Sequence, residues 1–380
     1  MSKIVVLGAG MVGSVIASDL AASGSLSVTI ADMREENLRL AAARCNGRAT
    51  TACLDLSDMT ALKRLISEHD LVVGALSSHL GMNALRAVIE SKKNYCDISF
   101  MGEDAIELDA LAKSNGVTAI VDCGVAPGMS NLLAGYGASL LNPCESIEIY
   151  VGGLPVERRM PFQYKAGFSP ADVIEEYTRP SRIVENGKIV IRPALSEAEL
   201  MDFPGVGTLE AFNTDGLRSI ATTLNVPFMK EKTLRYPGHI ALMSALRDIG
   251  LFSKQPVSVG GKNVVPLDLT STLMFPKWKY EPGERDLTVM CVIARGIKSG
   301  KRTTLRWDVL DHLDPSTGFT SMSRTTAFPC AMFARMILDG TISDRGVLPP
   351  ELLARPKIVN RVFAEHEARG ISYRFSETPS

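Results

Sequence analysis

The stretch that most constrains this chain is its beginning. There Ile4-Val5-Val6-Leu7 runs into Gly8-Ala9-Gly10-Met11-Val12-Gly13, and then into Val15, Ile16 and Leu20 at helical spacing. An unbroken apolar, β-branched run is what a strand buried on both faces requires. A second apolar strand, Leu26 to Ile30, ends at Asp32. Each part has a mechanical task in a dinucleotide site. Gly8 permits a tight turn, Gly10 lets the backbone approach a pyrophosphate, and Gly13 lets the helix pack against the strand. The free N–H groups and dipole of a helix opening at Met11-Val12 favour the pyrophosphate charge. Asp32, about twenty residues past the last glycine, is placed to accept hydrogen bonds from the adenosine ribose hydroxyls. Glycine turns also serve packing alone, but here the strand precedes, the helix follows and an acid closes the second strand. The Asp32 charge repels a 2′-phosphate, so NAD is expected over NADP, a preference that Arg34 softens.

Beyond Asp32 the apolar pattern alternates between helical and strand periods. Residues 33–44 read as a helix with Leu38, Ala41 and Ala42 inward, Thr50 to Leu56 as a short strand, and 58–68 as a helix. Leu71 to Leu76 is a buried strand emptying into Ser77-Ser78-His79. Helix 81–91, strand Tyr95 to Ile98, helix 103–114 and strand Thr118 to Val121 continue the series. Strict alternation predicts an α/β fold: a doubly wound parallel sheet of the Rossmann kind, with right-handed crossovers. Ligands of such a sheet sit outside the carboxyl ends of its strands. Asp55, Leu56, Ala75, Leu76 and Ser77 therefore join the glycines, Met11, Val12 and Asp32 as expected cofactor contacts. Two further strand ends carry acids, Asp97 and Asp122. Each either caps a neighbouring helix or loop, or acts on a substrate.

The loop Gly124-Val125-Ala126-Pro127-Gly128-Met129-Ser130-Asn131 breaks the alternation, with Pro and Gly as turn residues and Ser130-Asn131 as a helix start. A length of 380 residues favours two domains. This loop marks the expected crossing from a nucleotide domain, 1–125, into a second domain, 126–324, followed by a C-terminal segment, 325–380. From Ser146 onward short strands (Ile147–Val151, Ile189–Ile191, Leu287–Ala294, Thr303–Asp308) alternate with loops rich in Gly and Pro. That texture predicts a second α/β domain with a mixed or antiparallel sheet and a few helices, those near 239–250 and 325–339 amphipathic. The tail beyond Phe375 is polar and reads as loose.

With 41 basic and 42 acidic residues the charge is balanced, which argues against a nucleic-acid or anionic-membrane partner. No apolar run reaches the length of a membrane span, and the start lacks the regions of a signal peptide, so a cytoplasmic protein is expected. Seven scattered cysteines fit reduced thiols, with neither a disulfide framework nor a zinc site. His69, His79, His312 and His366 show no metal-ligand spacing, so no metal is expected.

Substrate specificity is expected in the second domain, where polar residues cluster in Asn213-Thr214-Asp215-Gly216-Leu217-Arg218 and Thr233-Leu234-Arg235-Tyr236-Pro237-Gly238-His239. An arginine fork suits a carboxylate in bidentate geometry. Arg218 and Arg235 are thus candidates for the carboxylate of a small amino-acid substrate, against the plainer role of an ion pair. Asp215 and Tyr164 complete the candidate substrate set. His239 opens a helix, either as a helix-start polar residue or as an acid/base. No Gly-x-Ser-x-Gly elbow, Walker loop or Cys–His pairing is present. The chemistry is then the cofactor's, hydride transfer, with the protein orienting the substrate and handling one proton.

With these clusters in view, the chain resembles the saccharopine dehydrogenase-like family, and most of all its L-lysine 6-dehydrogenase branch. The resemblance rests on VVLGAGMVG, VVGALSSHLGMNALRAVIESKKNYCDISFM, GVAPGMSNLL, YVGGLP, IEEYTRP, NTDGLRS, TLRYPGH and SMSRTTAFPCAMFARMILDGTISDRGVLPPE, in this order over nearly the whole chain. It implies an N-terminal Rossmann domain and a central domain that also mediates oligomerisation, as a homodimer or homotetramer. It further implies a C-terminal helix, about 325–339, that packs back on the nucleotide domain. The implied reaction is NAD-linked oxidation of the lysine ε-amine to the semialdehyde, which cyclises to a piperideine carboxylate. In that scheme Asp97 or Asp122 orients the amine, and Arg218 or Arg235 holds the carboxylate. Saccharopine reductases of the family carry a serine and basic residues in place of Asp32-Met33-Arg34, and an aspartate in place of Ala126. Phe168 stands where the family usually has tryptophan. Two rival expectations remain: an oxidoreductase acting on saccharopine or a related secondary amine, and a catalytically silent NAD-binding protein.

Overall fold

The computed structural model describes residues 1–281 and 283–379, and the chain forms two compact units. The first comprises residues 1–139 and 323–372, the second residues 140–322 with the segment from Tyr373 onward.

The first unit begins with β1 (Ser2–Leu7), α1 (Met11–Ala22), β2 (Leu26–Asp32), α2 (Glu35–Arg44), β3 (Ala49–Cys53) and α3 (Met59–Ser67). It continues with β4 (Leu71–Gly74), α4 (Ser78–Glu90), β5 (Asn94–Asp97), α5 (Asp109–Ser114), β6 (Thr118–Ile120) and α6 (Met129–Leu140). The strands pair in parallel in the order β6-β5-β4-β1-β2-β3, the doubly wound order. Ile4–Leu7 and Leu71–Val73 are fully buried, as an apolar strand between two helical layers must be. Val15, Ile16 and Leu20 of α1 are sealed against them.

The second unit contains β7 (Cys144–Pro155), α7 (Pro170–Thr178), β8 (Ser181–Glu185), β9 (Lys188–Arg192), β10 (Glu199–Phe203), β11 (Gly207–Asn213), α8 (Ile220–Thr223), β12 (Phe228–Arg235) and α9 (His239–Asp248). The hairpin β13 (Val257–Val259) and β14 (Lys262–Val264), α10 (Pro266–Trp278), β15 (Asp286–Lys298) and β16 (Lys301–His312) follow. Its main sheet is mixed: β7 and β12 are parallel, while β15 is antiparallel to both β7 and β16. Ser299 and Gly300 join β15 to β16 with positive φ at both positions (50° and 78°), the turn that matches strand twist in a two-residue hairpin. One side of the sheet is packed by α7, α9 and α10 around Tyr177, Phe212, Met243 and Trp278.

After Met322 the chain adds a strand to the expected C-terminal helices. Helix α11 (Ser321–Leu338) is followed by β17 (Gly346–Leu348), which adds a seventh parallel strand beside β6, and by α12 (Pro356–Glu367). Asp19 of α1 anchors this segment, accepting from Arg335 at 2.6 Å and from Arg369 at 2.7 Å. The tail is not loose. Strand β18 (Arg374–Pro379) pairs antiparallel with β16, so its polar sequence is that of an exposed edge strand. The first boundary falls at 139/140 rather than 125/126, because α6 packs with the nucleotide unit.

Candidate functional site

The glycine turn is built from close approaches. Gly8 has φ 100°, and a β-carbon there would lie 2.3 Å from the Ala75 carbonyl oxygen. A β-carbon at Gly13 would lie 2.1 Å from the Gly8 carbonyl oxygen, so α1 rests directly on the turn. At Gly10 a β-carbon would meet no protein atom within 4 Å. The turn is therefore packed against the end of β4 at Gly8 and Gly13 and open at Gly10, where a pyrophosphate would approach. Gly10 caps α1 without a side-chain hydrogen bond, and no acid lies in the first turn, so the N–H groups around Met11 and Val12 suit an anion. Asp32 stands at the end of β2. Its Oδ2 accepts the Ala9 N–H at 2.9 Å and its Oδ1 the Arg34 N–H at 2.8 Å. These residues fit a dinucleotide.

Ala75, Leu76 and Ser77 leave β4 beside this turn; Ala75 N–H donates to Leu7 and Leu76 N–H to Ser99 Oγ. Asp55 and Leu56 follow β3, which ends at Cys53. Asp55 turns into its own exposed loop, where the Ser57 hydroxyl at 2.7 Å holds its carboxyl below the usual range. Leu56 is a core residue packed with Val5, Leu62 and Leu85.

The two strand-end acids differ. Asp97 is 0 % exposed, so the structure takes it out of a substrate's reach. Its Oδ1 accepts both the N–H (3.0 Å) and the hydroxyl (2.7 Å) of Ser99, while Oδ2 is buried with no hydrogen-bond partner among the described residues. Burial pushes its carboxyl up to about 8, so at neutral pH it holds its proton and is not the ionised base that a role on an amine needs. Asp122 is also buried but holds a left-handed backbone (φ 53°) at the end of β6, a conformation aspartate tolerates and active sites often use. Sequence reasoning passed over Ser99. The Asp-x-Ser spacing of Asp97-Ile98-Ser99, favourable for a side-chain bond two residues on, is the signal that could have found it.

In the second unit Arg235, His239 and Tyr164 come together in one buried network. Arg235 ion-pairs with Glu176 at 2.6 Å, donates to the Tyr177 hydroxyl at 3.3 Å, and stacks its guanidinium 4.4 Å over the Tyr164 ring. His239 is bonded at both nitrogens, to the Phe162 carbonyl at 2.8 Å and the Tyr177 hydroxyl at 2.9 Å. A carbonyl only accepts, so Nδ1 carries the proton and Tyr177 donates to Nε2. Burial pushes the His239 ring down to about 3. A neutral imidazole spent at both ends does not exchange protons with a substrate at neutral pH, so the expected acid/base role does not survive. Asp215 is committed too: its two oxygens take Nε (2.8 Å) and Nη2 (2.9 Å) of Arg182. Arg218 closes the same loop, buried and with φ 52°. Glu231 pins this loop from β12, accepting from the Thr214 hydroxyl at 2.5 Å and the Gly216 N–H at 3.1 Å. Glu176, Arg182 and Glu231 were not singled out from sequence, since burial and pairing across strands leave no local trace.

Among the described residues no group of three or more His, Cys, Asp or Glu is arranged to hold a metal ion, and no helix is long and apolar enough to cross a membrane.

Residues 4–120 match the saccharopine dehydrogenase NADP binding domain, and residues 124–371 match the saccharopine dehydrogenase C-terminal domain. The chain belongs to the saccharopine dehydrogenase family. It is an oxidoreductase of the kind that acts on CH–NH groups and uses a nicotinamide cofactor. It is 24 % identical to the NADP-dependent, L-glutamate-forming saccharopine dehydrogenase of Schizosaccharomyces pombe, over 92 % of this chain and 94 % of that protein. It is also 24 % identical to the carboxynorspermidine synthase of Vibrio cholerae, over 92 % of each. The mitochondrial alpha-aminoadipic semialdehyde synthase of Bos taurus matches 99 % of the chain at 25 % identity, but only 48 % of its own length is covered. The fold is that of apo saccharopine dehydrogenase (L-Glu forming) from Saccharomyces cerevisiae, with a TM-score of 0.81 and full coverage of both chains at 20 % identity.

Proposed function

We propose that this protein oxidises or forms a secondary amine of the saccharopine type, in which an amino-acid nitrogen bridges to a second carboxylate-bearing chain. The observation that supports it is end-to-end similarity to glutamate-forming saccharopine dehydrogenase in a chain whose glycine turn is shaped for a dinucleotide. A bound nicotinamide supplies the hydride acceptor. An ammonium nitrogen blocks hydride loss from its own carbon, so the protein must take up a proton first. Loss of hydride then leaves an imine, which water splits into a carbonyl compound and an amine.

Asp122 is the proposed proton acceptor, since Asp97 is sealed and protonated. Arg218, at the end of the polar loop Asn213–Arg218, is the proposed carboxylate clamp. For the cofactor we propose NAD, although the fungal relative's name specifies NADP. Asp32, held beside the turn by Ala9 and Arg34, places negative charge where a 2′-phosphate would lie.

A second reading, oxidative deamination of the lysine ε-amine, is favoured by Ala126 and Asp32-Met33-Arg34, which depart from the saccharopine reductase pattern. One assay separates the two: formation of reduced nicotinamide at alkaline pH from saccharopine or lysine, each with NAD or NADP. Turnover of saccharopine with NAD is expected. Turnover of lysine alone would transfer the assignment to the second reading. Cofactor binding without turnover of any amine would leave a silent binding protein. A homodimer or homotetramer is the proposed assembly, read by sedimentation.

A further inference from the structure

The end of β4 is the surface on which the cofactor turn stands, and a buried chain of hydrogen bonds leads away from it. The Leu76 N–H donates to Ser99 Oγ at 3.3 Å, and Ser99 donates that hydroxyl at 2.7 Å and its own N–H at 3.0 Å to Asp97 Oδ1. Ser99 is 1 % exposed and Asp97 is sealed, so water does not substitute for either partner. The approach of β5 to β4 depends on Gly74. A β-carbon there would lie 2.0 Å from the Tyr95 hydroxyl and 2.4 Å from Asp97 Oδ1. One residue further, the Ala75 carbonyl is the atom that a side chain at Gly8 would strike, and the Ala75 side chain faces the space beside Gly13.

We propose that Asp97 and Ser99 are positioning residues for cofactor binding. Acting through the Leu76 N–H, they fix the Ala75–Leu76 corner against which Gly8 and Gly13 of the nucleotide turn are packed. The proposal rests on the nicotinamide reading above. It replaces a substrate-facing role for Asp97 with one exerted from inside the protein.

The groups facing the Asp97 carboxyl are Tyr95 and Cys96 on β5, Asp122 and Cys123 at the end of β6, and Cys330 on α11. None is a cation, so nothing in this set offsets a charge on Asp97. The neutral acid is therefore the form that suits this corner at neutral pH. Opening the corner frees the carboxyl to ionise, so opening becomes more favourable as pH rises toward about 8.

The test combines NADH and NADPH titrations with backbone hydrogen exchange of the 71–77 segment in wild type, Ser99→Ala, Asp97→Ala and Asp97→Asn. Ser99→Ala and Asp97→Ala are expected to weaken cofactor binding roughly five- to tenfold and to speed exchange at 71–77. Asp97→Asn, which mimics the neutral acid, should restore most of the affinity lost in Asp97→Ala. In wild type, exchange should climb with pH more steeply than hydroxide catalysis alone dictates until about 8, and Asp97→Asn should remove the excess. Wild-type binding and exchange in Ser99→Ala would overturn the proposal while leaving the cofactor reading intact. A wild-type protein that binds neither nucleotide would overturn that reading, and the assignment of these residues to a cofactor turn with it. Should Asp97→Ala fail to fold, Ser99→Ala and Asp97→Asn decide the matter.

Discussion

At Gly10 a single methyl group separates binding from stability. An added β-carbon there meets no protein atom within 4 Å and the backbone is extended, so Gly10→Ala should leave the melting temperature nearly unchanged. The methyl would stand where a pyrophosphate must approach, so NADH affinity should fall at least about tenfold. Gly13→Ala is the opposite case. Its methyl would strike the Gly8 carbonyl at 2.1 Å, and a backbone atom in a packed turn cannot swing away. A loss of roughly 2–4 kcal/mol in urea unfolding is expected together with the loss of binding. Asp32 gives a third prediction. Asp32→Asn keeps an acceptor for the Ala9 N–H but removes the charge, so the ratio of NADP to NAD turnover should rise about tenfold or more. An unchanged ratio would remove Asp32 from cofactor choice.

Among elements, α7, β12 and α9 are tied by one polar chain in an aromatic core: Glu176 to Arg235, Arg235 to Tyr177, Tyr177 to His239, and His239 to the Phe162 carbonyl. Tyr177, Arg235 and His239 are buried, so removing one strands the next. His239→Phe keeps an aromatic ring yet takes the acceptor from the Tyr177 O–H proton and the donor from the Phe162 carbonyl. The expected cost is roughly 2–4 kcal/mol in chemical unfolding. A variant as stable as wild type would show that the chain contributes little. Of these residues Arg235 and His239 read from sequence as a substrate-binding and a catalytic candidate, because Arg and His in a Gly-Pro cluster look the same whether they face a ligand or one another.

On the scale of the whole molecule, four buried groups shape stability against pH. Burial raises Asp97 from 3.8 to about 8 and Glu231 from 4.5 to about 8. Between those values the unfolded chain has released protons that the folded protein retains, so each acid lowers stability as pH rises, by up to roughly 1.4 kcal/mol per pH unit. Burial lowers His239 from 6.5 to about 3 and His366 from 6.5 to about 4. In those windows the unfolded chain binds protons that the folded one refuses, so each histidine lowers stability as pH falls. The two pairs oppose each other between about 4.5 and 6.5, and above 6.5 these histidines no longer oppose the two acids. The contribution of Asp97 and Glu231 to stability should therefore decline from pH 6.5 to 8, and Glu231→Gln should remove its share of that decline in urea titrations. A decline as steep in the variant as in wild type would exclude Glu231 as a source.

The N-terminal strand, turn, helix and closing acid were legible in sequence because their geometry is local. A positive φ, a backbone contact and a buried strand each leave a mark within a few residues of their cause. The alternation after them was legible for the same reason, and the parallel sheet followed from it. The later choices are not local. Strand β17 joins a sheet whose neighbouring strand lies more than two hundred residues earlier, and a polar tail becomes an edge strand because β16 offers it unpaired backbone groups. Asp97 and Asp122 both stand at strand ends, and Arg218 and Arg235 both lie in polar clusters of the sequence. Their sequence surroundings do not show that all four are buried, or that Ser99 binds Asp97 and Glu176 pairs with Arg235. By itself the sequence determined that the chain holds a dinucleotide-shaped turn at the head of a parallel sheet. Only the tertiary structure decided which polar residues are spent inside the protein, because desolvation and pairing depend on neighbours distant in the chain.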